Sequence, residues 1–176
     1  MGVSNLSKGS LFFLACCVLA VGCESDLHVL RPGDTPPPFT LADLDGNHVS
    51  LADFHGKTVM LRFWADWCKS CKTEMPLIEE KYRQFTGAGF RVLALNVRQD
   101  RERAAKFAKE VGISYPVLLD ADGQTAHAYG VIGLPTTFVI DGGGRVREEI
   151  IGDMNRKSLS ELLDPLFEKK SAGGNP

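Results

Sequence analysis

Phe63-Trp64-Ala65-Asp66-Trp67-Cys68-Lys69-Ser70-Cys71 decides how this chain is read. An apolar run, Thr58 to Trp64, leads into two cysteines separated by two residues, and a stretch of helical spacing that contains Pro76 follows. A Cys-x-x-Cys pair opening a helix is suited to redox work. The unpaired N–H groups and the dipole at the helix start stabilise a thiolate on the first cysteine. The short loop then lets the second cysteine attack a mixed disulfide formed on the first. The pattern predicts Cys68 as the exposed nucleophile and Cys71 as the more buried resolving thiol. The redox carrier is then the Cys68–Cys71 disulfide itself, and no bound cofactor is expected.

Two plainer readings compete. A structural zinc site needs two further ligands of the right kind. His28, His48, His55 and His127 stand in no paired spacing, so no metal is expected. Inert core cysteines are the other reading, and Trp67 and Asp66 beside the pair suit a partly exposed rim better.

The chain has 176 residues, 44% hydrophobic and 24% charged, which is enough for one domain with a sizeable core and too little for two. A net charge of −2 and the absence of any long basic run argue against nucleic acid as a partner. No internal repeat is present.

Residues 1–22 read as a lipoprotein-type signal peptide. Lys8 supplies the positive start, and Leu11 to Val21 form an uncharged apolar run too short to span a bilayer as a helix. Leu19-Ala20-Val21-Gly22-Cys23 resembles a bacterial lipobox, which makes Cys23 the lipidation site. Ala20 stands where that pattern most often has Leu, and Cys16 and Cys17 are competing sites with poorer upstream residues. An ordinary cleaved signal and an uncleaved anchor are the alternatives. With Cys23 lipidated, Cys68 and Cys71 are the only free thiols left, which suits an exported protein. Residues 23–35 then form a tether that runs into Pro36-Pro37-Pro38 and holds the domain off the membrane, unless part of it packs on the domain edge from Gly33 onward. The domain is expected over residues 36–170 and a flexible tail over 171–176.

Within the domain, Phe39 to Ser50 alternates weakly around Asp45-Gly46-Asn47, a hairpin signal. Thr58 to Trp64, nearly all apolar apart from Arg62, reads as a central strand. Lys72 to Phe85 reads as a helix, Arg91 to Asn96 as a strand and Arg101 to Glu110 as an amphipathic helix. Tyr115 to Leu119 is a strand, and Ala126 to Tyr129 a short helical piece. Strands Thr136 to Ile140 and Val146 to Ile151 come next, with a closing helix from Arg156 to Lys169. This order implies an α/β fold with parallel central strands and an antiparallel edge.

The Trp67-Cys68-Lys69-Ser70-Cys71 motif, Pro76, and Leu134-Pro135-Thr136 ahead of an apolar strand together resemble the thioredoxin fold. They are most similar to its membrane-tethered TlpA/ResA-like thiol-disulfide oxidoreductases of bacteria. The resemblance covers Pro36 to Phe167. It implies a central mixed sheet flanked by helices, an amino-terminal β-hairpin, and an inserted strand–helix unit at Phe90 to Glu110. It also implies that Pro135 is the family's cis-proline, lying against the disulfide and helping to bind an extended substrate segment. Trp67, Leu134 and Thr136 would complete that docking surface. Glu74 matches a glutamate that tunes the thiols in cytochrome-maturation members; a solvated first-turn acid is the plainer reading.

The chain departs from the family at two places. Ser70 replaces the usual proline between the cysteines, and Lys69 places a cation beside Cys68, favouring the thiolate modestly. Arg62 stands where ordinary thioredoxins carry a buried Asp and this branch often a neutral amide. Beneath the site it would need a buried partner, Glu74 or Asp66; otherwise it reaches the surface.

The resemblance further implies protein disulfide or dithiol substrates in the cell envelope, with apocytochrome c or copper-site assembly proteins as examples. It also implies a membrane electron donor of disulfide-reductase type and a position facing the periplasm or the outer side of the cytoplasmic membrane. Two other readings stay open. One is a copper- or haem-handling module, for which His127 is the candidate extra ligand beside two soft thiolates. The other is a thiol peroxidase of peroxiredoxin type, which places its cysteine in a Pro-x-x-x-Thr-x-x-Cys setting unlike Trp64-Ala65-Asp66-Trp67-Cys68.

Overall fold

The computed structural model describes residues 29–171. The signal segment, Cys23 and residues 172–176 lie outside them. The strands are β1 (Thr40–Asp43), β2 (His48–Ser50), β3 (Thr58–Trp64), β4 (Phe90–Val97), β5 (Val117–Asp120), β6 (Thr136–Ile140) and β7 (Val146–Ile151). The helices are α1 (Lys69–Phe85), α2 (Arg101–Val111), α3 (Gln124–Ala128) and α4 (Arg156–Ser171). All strands join one sheet in the order β2-β1-β5-β4-β3-β6-β7. The β3–β4 and β4–β5 pairs are parallel, while β1–β2, β1–β5, β3–β6 and β6–β7 are antiparallel. The expected mixed α/β architecture is therefore present, with β3 near the middle of the sheet.

Alternation along β3 divides the core in two. Val59, Leu61 and Phe63 pack on one side with Leu93, Leu95, Tyr129 and Phe138. Met60 and Trp64 face the other side, with Met75, Ile78, Phe107 and Leu163 from α1, α2 and α4. Full burial of each such side chain contributes on the order of 2 kcal/mol. The same alternation turns Arg62 to the α1 side of the sheet.

Local chemistry moves several boundaries. Helix α1 begins at Lys69 rather than Lys72, because Cys68 is its N-cap: its backbone is extended and its sulfur accepts from the Cys71 N–H. Pro76 inside α1 removes one intrahelical donor. Strand β5 begins at Val117 rather than Tyr115, since Pro116 has no N–H to offer a ladder; its carbonyl instead accepts from Ala94 N at 2.9 Å. Helix α2 is capped by the Asp100 side chain, which accepts from Arg103 N at 2.8 Å, and ends at Gly112 in the left-handed region at φ 70°.

The expected tether, residues 23–35, is part of the domain over its last residues. Leu30 is 2% exposed and sits in the core with Phe39 and Val146. Gly33 N donates to the Val146 carbonyl at 2.7 Å, and Val146 N donates to the Asp34 carbonyl at 2.9 Å. Arg145 Nη1 adds a bond to Thr35 Oγ1 at 2.5 Å. An apolar anchor and the otherwise open edge of β7 draw this segment in, where proline content alone suggests a free spacer. Among the described residues, no helix is long and apolar enough to cross a membrane.

Candidate active site

Strand β3 ends where α1 begins, so the Ala65–Cys68 turn sits at the carboxyl end of the parallel strands. Cys68 and Cys71 are disulfide-bonded there, with their Cα atoms 5.3 Å apart. Cys71 N donates to Cys68 Sγ at 3.3 Å, so the helix start already supplies an N–H to the sulfur that carries charge in the reduced state. Cys68 is 4% exposed and Cys71 fully buried. The order of accessibility agrees with the expected roles, but in the disulfide form Cys68 is nearly covered rather than exposed. Trp67, beside it, is 64% exposed. Ser70 Oγ lies 3.8 Å from Cys68 Sγ, and Lys69 is exposed on the first turn of α1.

Strand β6 runs antiparallel to β3 and pairs Thr136 with Phe63, which brings its leading residues to the same end of the sheet as the disulfide. The Leu134–Pro135 peptide is cis. The Pro135 carbonyl accepts from Gly152 N at 2.9 Å, and Thr136 Oγ1 donates to the Gly133 carbonyl at 2.8 Å. Between Trp67 and the Val131–Leu134 segment lies a groove of about 410 Å³, lined also by Val97, Arg98, Ala126 and His127.

Beneath the disulfide, Arg62 is fully buried, so the reading in which it reaches the surface is overturned. Its Nη2 donates to Glu74 Oε2, and its Nη1 donates to Thr137 Oγ1 at 2.6 Å. Thr137 is the register partner of Arg62 on β6, while Ala94, its partner on β4, leaves room for the guanidinium. Glu74, one helical turn after Cys71, is buried; the solvated first-turn reading does not hold. Arg62 Nε and Glu74 Oε1 have no hydrogen-bond partner among the described residues. Burial pushes the Glu74 carboxyl above the ordinary range against the pull of the Arg62 charge, and burial lowers Arg62 in turn.

Asp66, the other acid named for Arg62, belongs to a separate cluster. Its carboxylate accepts from Arg103 Nε and Nη2 at 2.8 and 2.9 Å and from Gln99 Nε2 at 2.5 Å. Gln99 Oε1 accepts in return from Asp66 N at 2.8 Å and from Asn96 Nδ2 at 2.9 Å. Burial opposes ionisation of Asp66, but the bonds from Gln99 and Arg103 outweigh it and hold the group below its ordinary range. Thr137, Asn96, Gln99 and Arg103 are site-supporting residues that the sequence reading does not name. Asn96 lies near the end of β4, with Gln99 and Arg103 beyond it, so the β3–β4 pairing is what brings these three beside the site. His127 lies in the groove wall rather than beside the sulfurs' helix, and among the described residues no three His, Cys, Asp or Glu side chains converge as a metal site requires.

A helix-capping Cys-x-x-Cys disulfide, at the end of the sheet where the chain enters β6 through a cis-proline, defines a thiol-disulfide oxidoreductase of thioredoxin fold. The AhpC/TSA family matches residues 32–149, and the chain belongs to that family. Within it the chain is similar to the thiol-disulfide oxidoreductase ResA of Geobacillus thermodenitrificans, at 40% identity over 76% of this chain and 77% of that protein. ResA of Bacillus subtilis is 35% identical over 82% of this chain and 80% of its own length. Among solved structures, a thioredoxin-family thiol:disulfide interchange protein of Chlorobium tepidum superposes with a TM-score of 0.68. It shares 28% identity, over 78% of this chain and 98% of that one. The protein is a redox enzyme acting on protein thiols and disulfides.

Proposed function

We propose that the protein works in the reductive direction on disulfides of exported proteins, held at the membrane by a lipid on Cys23. The observation that carries the reading is the Cys71 N–H donated to Cys68 Sγ at the start of α1, which stabilises a Cys68 thiolate. That thiolate attacks one sulfur of a substrate disulfide, forming a mixed disulfide and releasing the other substrate sulfur as a thiolate that takes up a proton. Cys71, losing its own proton, attacks Cys68 Sγ. The second substrate thiol leaves and the Cys68–Cys71 disulfide closes. Two electrons pass from the enzyme to the substrate; of the two protons the substrate sulfurs take up, one originates on Cys71 and the other comes from solvent, because Cys68 reacts as the thiolate.

Glu74 follows Cys71 by one turn of α1, and burial raises the proton affinity of its carboxylate, which supports a role for it as acceptor of the Cys71 proton. Trp67 and the Leu134–Thr136 segment dock the substrate chain. The dithiol is the sole redox group this reading requires. A membrane disulfide reductase would return the protein to its dithiol form, because an oxidising compartment cannot. The TlpA/ResA-like resemblance favours apocytochrome c or a copper-site assembly protein as substrate.

The reduction potential tests the direction. Equilibration with dithiothreitol or glutathione, read by tryptophan fluorescence, is expected to give a value at or below about −250 mV. A value near about −120 mV, in the range of a strong oxidant, would reverse the assignment to disulfide formation. Palmitate labelling tests the anchor: the label is expected in the wild type and absent from Cys23→Ala.

A further inference from the structure

Arg98 follows β4 directly and holds a left-handed backbone, φ 54°, alone among the non-glycine residues described. A side chain with a Cβ avoids that region. Such a conformation persists only where the surroundings impose it, and it concentrates at ligand-binding clamps. Here Arg98 N donates to the Asp120 carbonyl at 2.9 Å, fixing the backbone. The side chain then lies across Gly123, where an added Cβ would stand 2.5 Å from Arg98 Nε. That glycine therefore leaves the space the arginine occupies.

The result is a cation on the wall of the groove that adjoins the disulfide. Trp67, next to Cys68 in the chain, and Leu134, which leads into β6 at the disulfide end of the sheet, both line the groove, as does Ile132, 77% exposed. Arg98 is solvent-exposed and is absent from the ion pairs formed among the described residues. Asp122, next to Gly123, turns its carboxylate to Gln124 N at 3.0 Å instead. Among the described residues, no acidic side chain lines the groove, and His127 is its only other ionisable group. An apolar floor with one unpaired, sterically seated guanidinium is complementary to an extended peptide that offers an apolar side chain and a carboxylate.

We propose that Arg98 is a specificity-determining residue that selects protein substrates carrying an acidic residue close to the attacked cysteine. The inference rests on the thiol-exchange reading and adds a substrate class to it. The acid is a side chain of the substrate protein, and its pairing with Arg98 positions the disulfide over Cys68 without taking part in the exchange.

Two synthetic peptides test this, each closed by one internal disulfide and identical except for Glu or Gln beside the attacked cysteine. Oxidation of the reduced protein by each is followed by tryptophan fluorescence. The Glu peptide is expected to react about three-fold faster at low ionic strength, the size of an accessible ion pair, with the ratio falling toward one as salt is raised. Arg98→Gln is expected to bring the ratio to one, and Arg98→Lys to retain part of it. Arg98→Glu should prefer a third peptide with Lys at the same position, a gain that a misfolded variant could not show. Equal rates for the Glu and Gln peptides with the wild type at low salt would overturn the proposal while leaving thiol exchange intact. Failure of both peptides to oxidise the dithiol would overturn the exchange reading and this inference with it.

Discussion

Arg62 and Glu74 form an ion pair from which water is excluded, their side chains 0% and 1% exposed. Removing two charges from water costs several kcal/mol per ion, and only mutual attraction and further hydrogen bonds offset it. Thr137 supplies one such bond, while Arg62 Nε and Glu74 Oε1 have none, so the network is only partly compensated. A partly compensated pair breaks asymmetrically. Glu74→Gln leaves a buried cation without its counter-charge and is expected to destabilise the oxidised protein by about 3–5 kcal/mol. The double variant Arg62→Met/Glu74→Leu removes both charges and is expected to recover most of that loss. Urea unfolding of the three proteins checks both. A double variant no more stable than Glu74→Gln would show that packing rather than charge compensation dominates.

The pair also sets the charge felt by the thiols. Intact, it contributes nearly zero net charge beneath the site. Glu74→Gln leaves a cation, which stabilises thiolates and should move the pH profile of Cys68 alkylation to lower pH. Arg62→Met leaves a carboxylate without its cation, and the profile should move to higher pH over the range in which Glu74 is ionised. Burial already raises Glu74, and without Arg62 only the Met154 backbone is left to oppose that rise. Iodoacetamide kinetics on the reduced proteins measure both shifts. Unchanged profiles in both variants would exclude the pair from proton handling.

Asp66 titrates in the opposite sense. Its folded-state pKa lies below the ordinary carboxylate value, so its contribution to stability is complete above the unfolded pKa. That contribution is lost as pH falls through the folded value. Arg103→Gln removes the cation from this cluster, and the variant is expected to lose stability at neutral pH by about 0.5–1 kcal/mol, as for a half-exposed pair. The difference from wild type should shrink on acidification. Melting temperatures recorded from neutral to acid pH check the sign; a difference that grows in acid would contradict it.

The parts of this site that are local in sequence are legible in it. The Cys-x-x-Cys spacing, the apolar run before it and Leu134-Pro135-Thr136 each declare themselves within a few residues. Arg62 is legible in principle too, because alternation with Met60 and Trp64 puts it under α1. Its partner is not, since Glu74 and Asp66 are both near in sequence. Only the helix register set by the Cys68 cap turns Glu74 inward and leaves Asp66 to α2. Gln99 and Arg103 are invisible because their contact with Asp66 depends on the β3–β4 pairing, a relation no local pattern encodes. The close of the tether is legible only as the alternative of edge packing from Gly33 onward, and the Leu30 anchor before it is not, because the edge of β7 that receives the segment lies more than a hundred residues further along the chain. The left-handed backbone of Arg98 carries no sequence signal at all, because the residue type argues against it.

The unequal burial of the two sulfurs makes the order of attack testable without a natural substrate. Cys68 caps the helix beside exposed Trp67, whereas Cys71 is sealed against Met75 and Ile78 in the core. An incoming disulfide can therefore reach only Cys68, and Cys71 can act only on a sulfur already bonded there. With Cys71→Ser, Cys68 should still attack a peptide disulfide, and the mixed disulfide should persist because no internal thiol displaces the peptide. Intact-mass measurement is expected to show the peptide adduct in this variant. The wild type should show only a transient adduct that decays to the Cys68–Cys71 disulfide. Cys68→Ser should form no stable adduct, since its remaining thiol faces the core. An adduct on Cys71 in that variant, at a rate comparable to that on Cys68 in the other, would mean that the helix start opens in solution and that burial does not set the order.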